Sequence, residues 1–496
     1  MFNDLFGKYF KFSLIVLVIA DCFSYLAYQN FWWQLITFVL ISLLVLWASL
    51  KKLEYGLYIV LAELFVGSQG HWFSLATPYF DYSIRMSIFL IVGLVWLSQL
   101  FKGGGKEFFS EENIFLYPYL ILLIFLFLGT LNGLLNNQLK NVFLDVNGWL
   151  FFGLAPVFFS QIRSSVVIKK IFSILLAAAF FISLKTLAVL VIFAYPWPIN
   201  ISVFYTWLRD SRIGEITHVS GSYYRIFFQA QIYLLVSFLV SFIFLIFKDR
   251  LQLNAVTVKW LKWSAIVSST AIIACLSRSF WLGLLFALLI GFILLMRQYK
   301  FKIAKIARLA AKVAVVAILE VGFLFIITGN LTNNWLKGRL DNPTTEAAGM
   351  SRLAQLGPLW QTTSQNFFIG SGFGQTVTYF SDDPRILAKA PSGRYTTFAF
   401  EWGYLDIWLK IGLLGLVSYL LLYYKIFRQG WMIIKSSSQW SIFVLALILG
   451  LIGIMLTSMF SPYLNHPLGI GYLLLTSAVI SFFVNQHVNE PDKTSN

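Results

Sequence analysis

Fourteen apolar runs follow one another through the 496 residues of this chain. A bilayer span needs about 20 predominantly apolar residues, and inside hydrocarbon every backbone polar group must be satisfied within the spanning structure. Runs of this length and number leave a helical bundle as the solution. They occupy 12–29, 31–50, 55–70, 83–101, 113–131, 145–160, 170–195, 223–247, 260–277, 279–296, 309–328, 403–424, 440–458 and 467–484. The expectation is an all-α polytopic integral membrane protein of about fourteen transmembrane helices. The chain is 59% hydrophobic and 12% charged, whereas soluble domains carry about 25% charged residues.

The net charge of +16 would point to nucleic acid in a soluble chain. Here the basic residues concentrate on alternate connections: Lys51 and Lys52, Lys102 and Lys106, Lys169 and Lys170, Lys248 and Arg250, and the stretch "RQYKFKIAKIARLAAK" at 297–312. Short cytoplasmic loops carry an excess of Lys and Arg, so both termini are expected in the cytoplasm. Cys22 and Cys275 lie in separate apolar stretches and the four histidines are scattered, so neither a disulfide framework nor a metal site is expected. The N-terminus lacks a small-residue cleavage site, and the first run is expected to stay as a helix.

This divides the chain into four parts. Residues 1–328 hold eleven spans with an external loop at about 196–222, and residues 329–402 form one large external loop. Residues 403–484 hold three more spans, and 485–496 form a cytoplasmic tail. Within the large loop Met350, Leu353, Leu356 and Leu359/Trp360 recur at helical spacing, which predicts a short helix on the membrane surface. Pro358 is expected to kink or restart it. The glycines of "FFIGSGFGQ" (367–375) could expose N–H groups to a phosphate or form a plain turn. They follow no parallel-sheet pattern, so a dinucleotide fingerprint is excluded by context.

Charged residues in and beside the spans carry the chemical signal. Asp21, Glu63, Lys185, Glu320 and Lys410 fall inside apolar runs, where pairing between helices is the default expectation. Asp406 and Lys410 stand four apart with the acid first, the favoured order for an intrahelical pair. Glu401 has Thr397, Phe398, Tyr404 and Leu405 at the helical positions around it, so it is either a partner of the helix dipole or a reactive carboxylate. Arg278 lies in the tight "CLSRSFWLG" hairpin far from any acid, where a charge is costly unless an anion visits it. Arg225 and Arg352 could reach a headgroup, whereas Arg209, Arg212, Arg339, Arg385 and Arg394 have acids nearby or lie in loose loop. The guanidinium fork suits phosphate oxygens.

The order of these pieces resembles the O-antigen polymerase/ligase superfamily of bacterial membrane glycosyltransferases, which have GT-C-type architecture and one large outer loop late in the chain. The resemblance covers roughly 200–425. It rests on "LSRSFWLGLL" (276–285), on Arg352 followed by Trp360 and "NFFIGSGFG" (366–374), and on "EWGYLDIWLKIGLLG" (401–415). It implies a multi-pass protein of the bacterial inner membrane with its active site on the periplasmic face. It implies no cofactor and no metal, and a polyprenyl-pyrophosphate-linked oligosaccharide as substrate, with a chain-length regulator as a candidate partner. Arg278 and Arg352 would grip the pyrophosphate. Glu401 would act as general base in place of the histidine of the ligase phrase, and Arg225, Tyr404, Trp360, Arg339 and Arg394 would line the substrate site. The departure at Glu401 favours a polymerase. The alternatives are an O-antigen ligase or protein O-oligosaccharyltransferase using the same donor, and, from another class, a lipid-linked-glycan flippase whose intramembrane charges form a path. No paired internal repeat of the transporter kind is evident.

Overall fold

A computed structural model describes residues 2–76, 81–197, 200–329, 347–388, 390–436 and 438–489. The helices are α1 (Lys8–Tyr28), α2 (Phe31–Lys51), α3 (Leu53–Val66), α4 (Ile84–Phe101), α5 (Leu116–Asn136), α6 (Leu139–Val146), α7 (Ala155–Gln161) and α8 (Ser165–Ala194). They continue with α9 (Ile201–Asp210), α10 (Ile232–Ile246), α11 (Ala255–Ala274), α12 (Arg278–Arg297) and α13 (Ile303–Ile327). Last come α14 (Ala347–Gln365), α15 (Pro384–Leu387), α16 (Gly403–Lys435), α17 (Gln439–Thr457) and α18 (Pro467–Asn489). Three antiparallel hairpins join them: β1 (Ser74–Ala76) with β2 (Asp81–Ser83), β3 (Gly214–Ser220) with β4 (Tyr223–Phe228), and β5 (Val377–Phe380) with β6 (Arg394–Thr397).

The chain is a helical, multi-pass membrane protein, as the apolar runs imply. Among the described residues eleven helices are long and apolar enough to cross a bilayer, or twelve if the bent pair Leu139–Val146 and Trp149–Gln161 counts as one. Each apolar run does overlie a helix. However, α3 has only 14 residues, about 21 Å at 1.5 Å per residue, against a hydrocarbon core of about 30 Å. The lysines, serines and threonines of α11 make it too polar to qualify. Apolar composition alone does not separate a spanning helix from an interior one.

Burial sorts the bundle into layers. In α10, α17 and α18, 78%, 78% and 83% of the apolar window is buried, against 22%, 17% and 11% in α1, α2 and α13. A helix that is apolar all round belongs in a core or against lipid, and the chain uses both. Gly283, Ala287 and Gly291 put a small-residue seam on α12; a Cβ on Gly283 would meet the Thr457 hydroxyl and the Gly453 carbonyl of α17. Small residues allow such backbone approach where lipid gives helices no hydrophobic reason to associate.

Three charged groups inside the bundle are neutralised by partners. Lys185 Nζ lies 2.6 Å from Asp21 Oδ1, and Arg85 Nε lies 2.8 Å from Glu63 Oε2. Lys410 Nζ lies 2.7 Å from Asp406 Oδ1 and 2.5 Å from Asp145 Oδ1. The intrahelical Asp406–Lys410 pair is therefore formed, and Asp145 of α6 adds a second carboxylate. Glu320 differs, since its carboxylate accepts a hydrogen bond of 2.5 Å from the Ser269 hydroxyl.

Several connections depart from expectation. The run at 223–247 begins as strand β4: "YYRIFF" is aromatic-rich and alternates, which suits a pleated half-buried surface, and it pairs with β3. The loop at 196–222 accordingly holds α9 and β3. In the large loop, α14 runs unbroken through Pro358. It buries Ser351, Gln355, Leu359 and Thr363, while Met350, Leu353, Leu356 and Trp360 stay exposed. The apolar stripe thus faces outward, the inner face being the more polar one. Helix α18 extends to Asn489, into the stretch expected to be a tail, and 490–496 lie outside the described residues.

Candidate active site

Helix α14 positions Arg352 through its buried face. The Gln355 amide donates to the Tyr379 hydroxyl at 2.9 Å, and Leu359 packs in a small core with Val377, Phe400 and Leu409. This docks α14 against the start of α16, where the chain leaves the loop. The Arg352 carbonyl accepts the Trp402 indole N–H at 2.9 Å, and the Glu401 amide donates to the Gln355 side-chain oxygen. Arg352 Nε then donates directly to Glu401 Oε2. The two side chains remain 35% and 39% exposed, so the pair sits at an open face where an ion pair adds little to stability.

Arg278 begins α12, directly after a turn in which Leu276 takes a positive φ of 49°. That left-handed backbone is costly for a leucine and persists only where the surroundings hold it. The N-terminal end of a helix carries partial positive charge, so Arg278 and the α12 dipole both favour an anion here. Arg225 approaches from β4: its Nε donates to the Cys275 carbonyl at 3.1 Å and its guanidinium lies 4.8 Å from the Phe227 ring centre.

The turn after α17 links these two groups. The Ser461 hydroxyl is 3.0 Å from that of Ser279, and the Tyr463 ring packs on Phe280, which in turn meets Phe227 beside Arg225. On the other side Phe460 packs on Trp402 at 5.6 Å. Ser279 and Phe280, next to Arg278, thus meet Ser461 and Tyr463, while Trp402, next to Glu401, meets Phe460.

Below this face the glycine phrase is neither a phosphate cradle nor a surface turn. It is a wedge. At Gly412 the helix α16 breaks with φ 73°, and a Cβ there would lie 2.1 Å from the Phe368 carbonyl oxygen. The break frees backbone groups that 367–374 satisfies: Leu413 N–H donates to the Phe367 carbonyl at 2.9 Å, and the Leu409 and Lys410 carbonyls accept Ser371 and Gly372 N–H. Phe373 N–H goes to the Gly129 carbonyl of α5 and Gly374 N–H to Asp145 Oδ2. Every amide from 370 to 374 is therefore spent on protein. Non-helical backbone at membrane depth is tolerated when buried in protein in this way.

The remaining expected residues scatter. The Tyr404 hydroxyl is spent on the Met455 carbonyl at 3.0 Å. Trp360 is exposed and packs edge-on to Trp408 at 5.6 Å, on the same helix as Arg352. Arg394 opens β6 opposite Phe380 and is exposed, and Arg339 lies outside the described residues. Sequence reasoning missed Gln355 and Trp402, which orient the Arg352–Glu401 pair, and Asp145 and Asn465, which brace the wedge. Asp145 did offer a signal, as a carboxylate at the edge of an apolar run.

An apolar cavity of about 550 Å³ opens between α10, α11, α12 and α13. Trp281, one helical turn past Arg278, lines it together with Phe242 and Leu285, while Lys262 and Lys312 lie farther along. Among the described residues no group of three or more His, Cys, Asp or Glu side chains could hold a metal ion.

Residues 263–420 match the family model Wzy_C, described as O-antigen ligase. This stretch contains Arg278, Arg352, Trp360, Glu401, Tyr404 and Lys410, and leaves Arg225 outside. No curated protein matches the chain. Over this segment the chain is similar to the O-antigen ligase family, consistent with the O-antigen polymerase/ligase superfamily, within a multi-pass membrane protein. That supports a glycan-transferring enzyme acting on lipid-linked glycans in a bilayer.

Proposed function

We propose that this protein is a polysaccharide polymerase. It transfers a growing glycan from polyprenyl pyrophosphate to a sugar hydroxyl of a lipid-linked repeat unit at the outer leaflet. The observation that carries this reading is the contact between Arg352 and Glu401 at an exposed face, inside the segment that matches the O-antigen ligase family. A cation suited to pyrophosphate thereby stands beside a carboxylate suited to a hydroxyl proton. A glutamate where the ligase phrase has histidine supports polymerase over ligase.

In the resting state Glu401 occupies Arg352. An arriving pyrophosphate carries more negative charge and more acceptor oxygens, so it competes for the guanidinium and releases the carboxylate. Glu401 then accepts the acceptor's O–H proton. The acceptor oxygen bonds to the anomeric carbon as the carbon–oxygen bond to pyrophosphate breaks. The electron pair leaves on polyprenyl pyrophosphate, whose charge Arg352, Arg278 and Arg225 neutralise. A single displacement inverts the anomeric centre. The apolar cavity one turn below Arg278 accommodates part of the polyprenyl tail.

Incubating the purified protein with one lipid-linked repeat unit tests this. A ladder of lengthened products with released polyprenyl pyrophosphate is expected. Transfer seen only after adding a lipid A core or a protein acceptor would make it a ligase instead.

A further inference from the structure

A second cavity, of about 760 Å³, lies wholly outside the family-matched segment. The C-terminal end of α1, the first turn of α2, residues 71–74 and α9 enclose it. Its volume falls in the range of about 300–1,000 Å³ typical of small-ligand sites.

The polar ends of its two indoles are already spent. Trp72 Nε1 donates to Asp21 at 3.0 Å and Trp207 Nε1 to the Ser24 hydroxyl at 3.1 Å. Lys185 lies beneath, 2.6 Å from Asp21 and 4.7 Å from the Trp207 ring centre. With both indole N–H groups bonded within the protein, these two rings contribute hydrocarbon to the cavity. The rim is the opposite: Gln34, His71, Asp81 and Asp210 line it. Asp210 accepts the Tyr28 hydroxyl at 2.6 Å.

This combination selects by chemistry. The carboxylates at the rim are each matched by an arginine, Asp210 by Arg209 at 2.8 Å and Asp81 by Arg212 at 3.4 Å, so no strong charge draws an ion. Burial, and then Arg212, hold the His71 imidazole neutral by lowering its pKa to about 4. A lipid tail would cover the Gln34 amide without offering it a hydrogen bond, which is costly. A ring with one apolar face and several hydroxyls meets both surfaces.

We infer that this cavity is a saccharide-binding subsite that takes a neutral, hydroxyl-rich part of the glycan. It would select the substrate by its sugars, while the Arg278, Arg352 and Glu401 group handles the linkage. The inference rests on the glycan-transfer reading for its ligand class but uses none of that site's residues. The hairpin that follows Asp210 and Ser211 carries Arg225, which gives the two sites a shared element.

Two probes separate the sites: one-repeat oligosaccharides released from the producing cell's surface polysaccharide, and sugar-free farnesyl pyrophosphate. Binding is measured to purified protein in nanodiscs. Thr206→Trp, from a partly exposed position on α9, fills the cavity, and Gln34→Ala removes one rim amide. Both should weaken oligosaccharide binding, about tenfold or more for Thr206→Trp, and leave farnesyl pyrophosphate binding unchanged. Oligosaccharide binding that survives both substitutions overturns the inference. So does a wild-type protein that elongates lipid-linked glycan without measurable oligosaccharide binding, which would leave the proposed function standing. If Arg278→Ala and Arg352→Ala leave farnesyl pyrophosphate binding intact while Thr206→Trp still abolishes oligosaccharide binding, the pyrophosphate clamp fails and the subsite stands.

Discussion

Arg352 and Glu401, 49 residues apart, meet through a direct hydrogen bond from guanidinium to carboxylate. Neither side chain is deeply buried, so the contact can open when a stronger anion arrives. The proposed chemistry rests on that exchange.

Removing either arginine should separate charge stabilisation from folding. Arg352→Ala and Arg278→Ala are each expected to lower the transfer rate by about 10²–10³, the usual cost of a preorganised donor to a developing negative charge. Lysine at either position should restore only part of it, because a point charge replaces a planar fork. Rates of the purified variants on a lipid-linked repeat unit provide the check; near-normal alanine variants would contradict the clamp.

The buried charge cluster gives a stability prediction. Lys410 is the cation between Asp406 and Asp145, and all three are almost fully buried. Lys410→Met leaves two carboxylates facing each other and is expected to cost about 3–5 kcal/mol. Asp406→Asn keeps the Lys410–Asp145 pair and should cost clearly less. Thermal unfolding followed by tryptophan fluorescence orders the two variants.

The broken helix predicts a backbone effect. Gly412→Ala places a methyl against the Phe368 carbonyl at a positive φ, a strain of order 1–3 kcal/mol. A lower Tm is expected, along with faster proteolysis within 366–374 as the wedge loosens. Unchanged values would mean that the wedge is not held by this break.

His71 sets a pH dependence. Its pKa is lowered to about 4 by burial first and Arg212 second, with Arg85 and Asp81 also facing it, against about 6.5 for an unperturbed histidine. The unfolded chain therefore binds more protons between these values, so stability is complete above about pH 6.5 and falls as pH drops toward 4. His71→Gln should flatten the fall in Tm over that window. Parallel Tm curves for the two proteins would exclude the histidine as its source.

Much of this was legible in the chain. Each apolar run overlies a helix for at least part of its length, and the acid-first spacing of Asp406 and Lys410 foretold their pair, because both signals are local. What stayed hidden was long-range. Glu401 has no partner at helical spacing, and only the docking of α14 by Gln355 and Leu359 brings Arg352 to it. The glycines at 370–374 read as a turn because composition cannot show that their amides fill a gap in α16. Arg225 read as the start of a helix because β4 is as apolar as a span, and strand β3 decides the matter from across the hairpin.

Glu401 is the proposed base, and Glu401→Gln isolates that role. The substitution keeps size and hydrogen-bonding capacity but removes the base. Single-turnover transfer and donor affinity should be measured together on the purified protein. Transfer slowed by about 10²–10⁴, the range for general base catalysis, is expected, with donor binding within a few-fold of wild type. Transfer at the wild-type rate would contradict the base role.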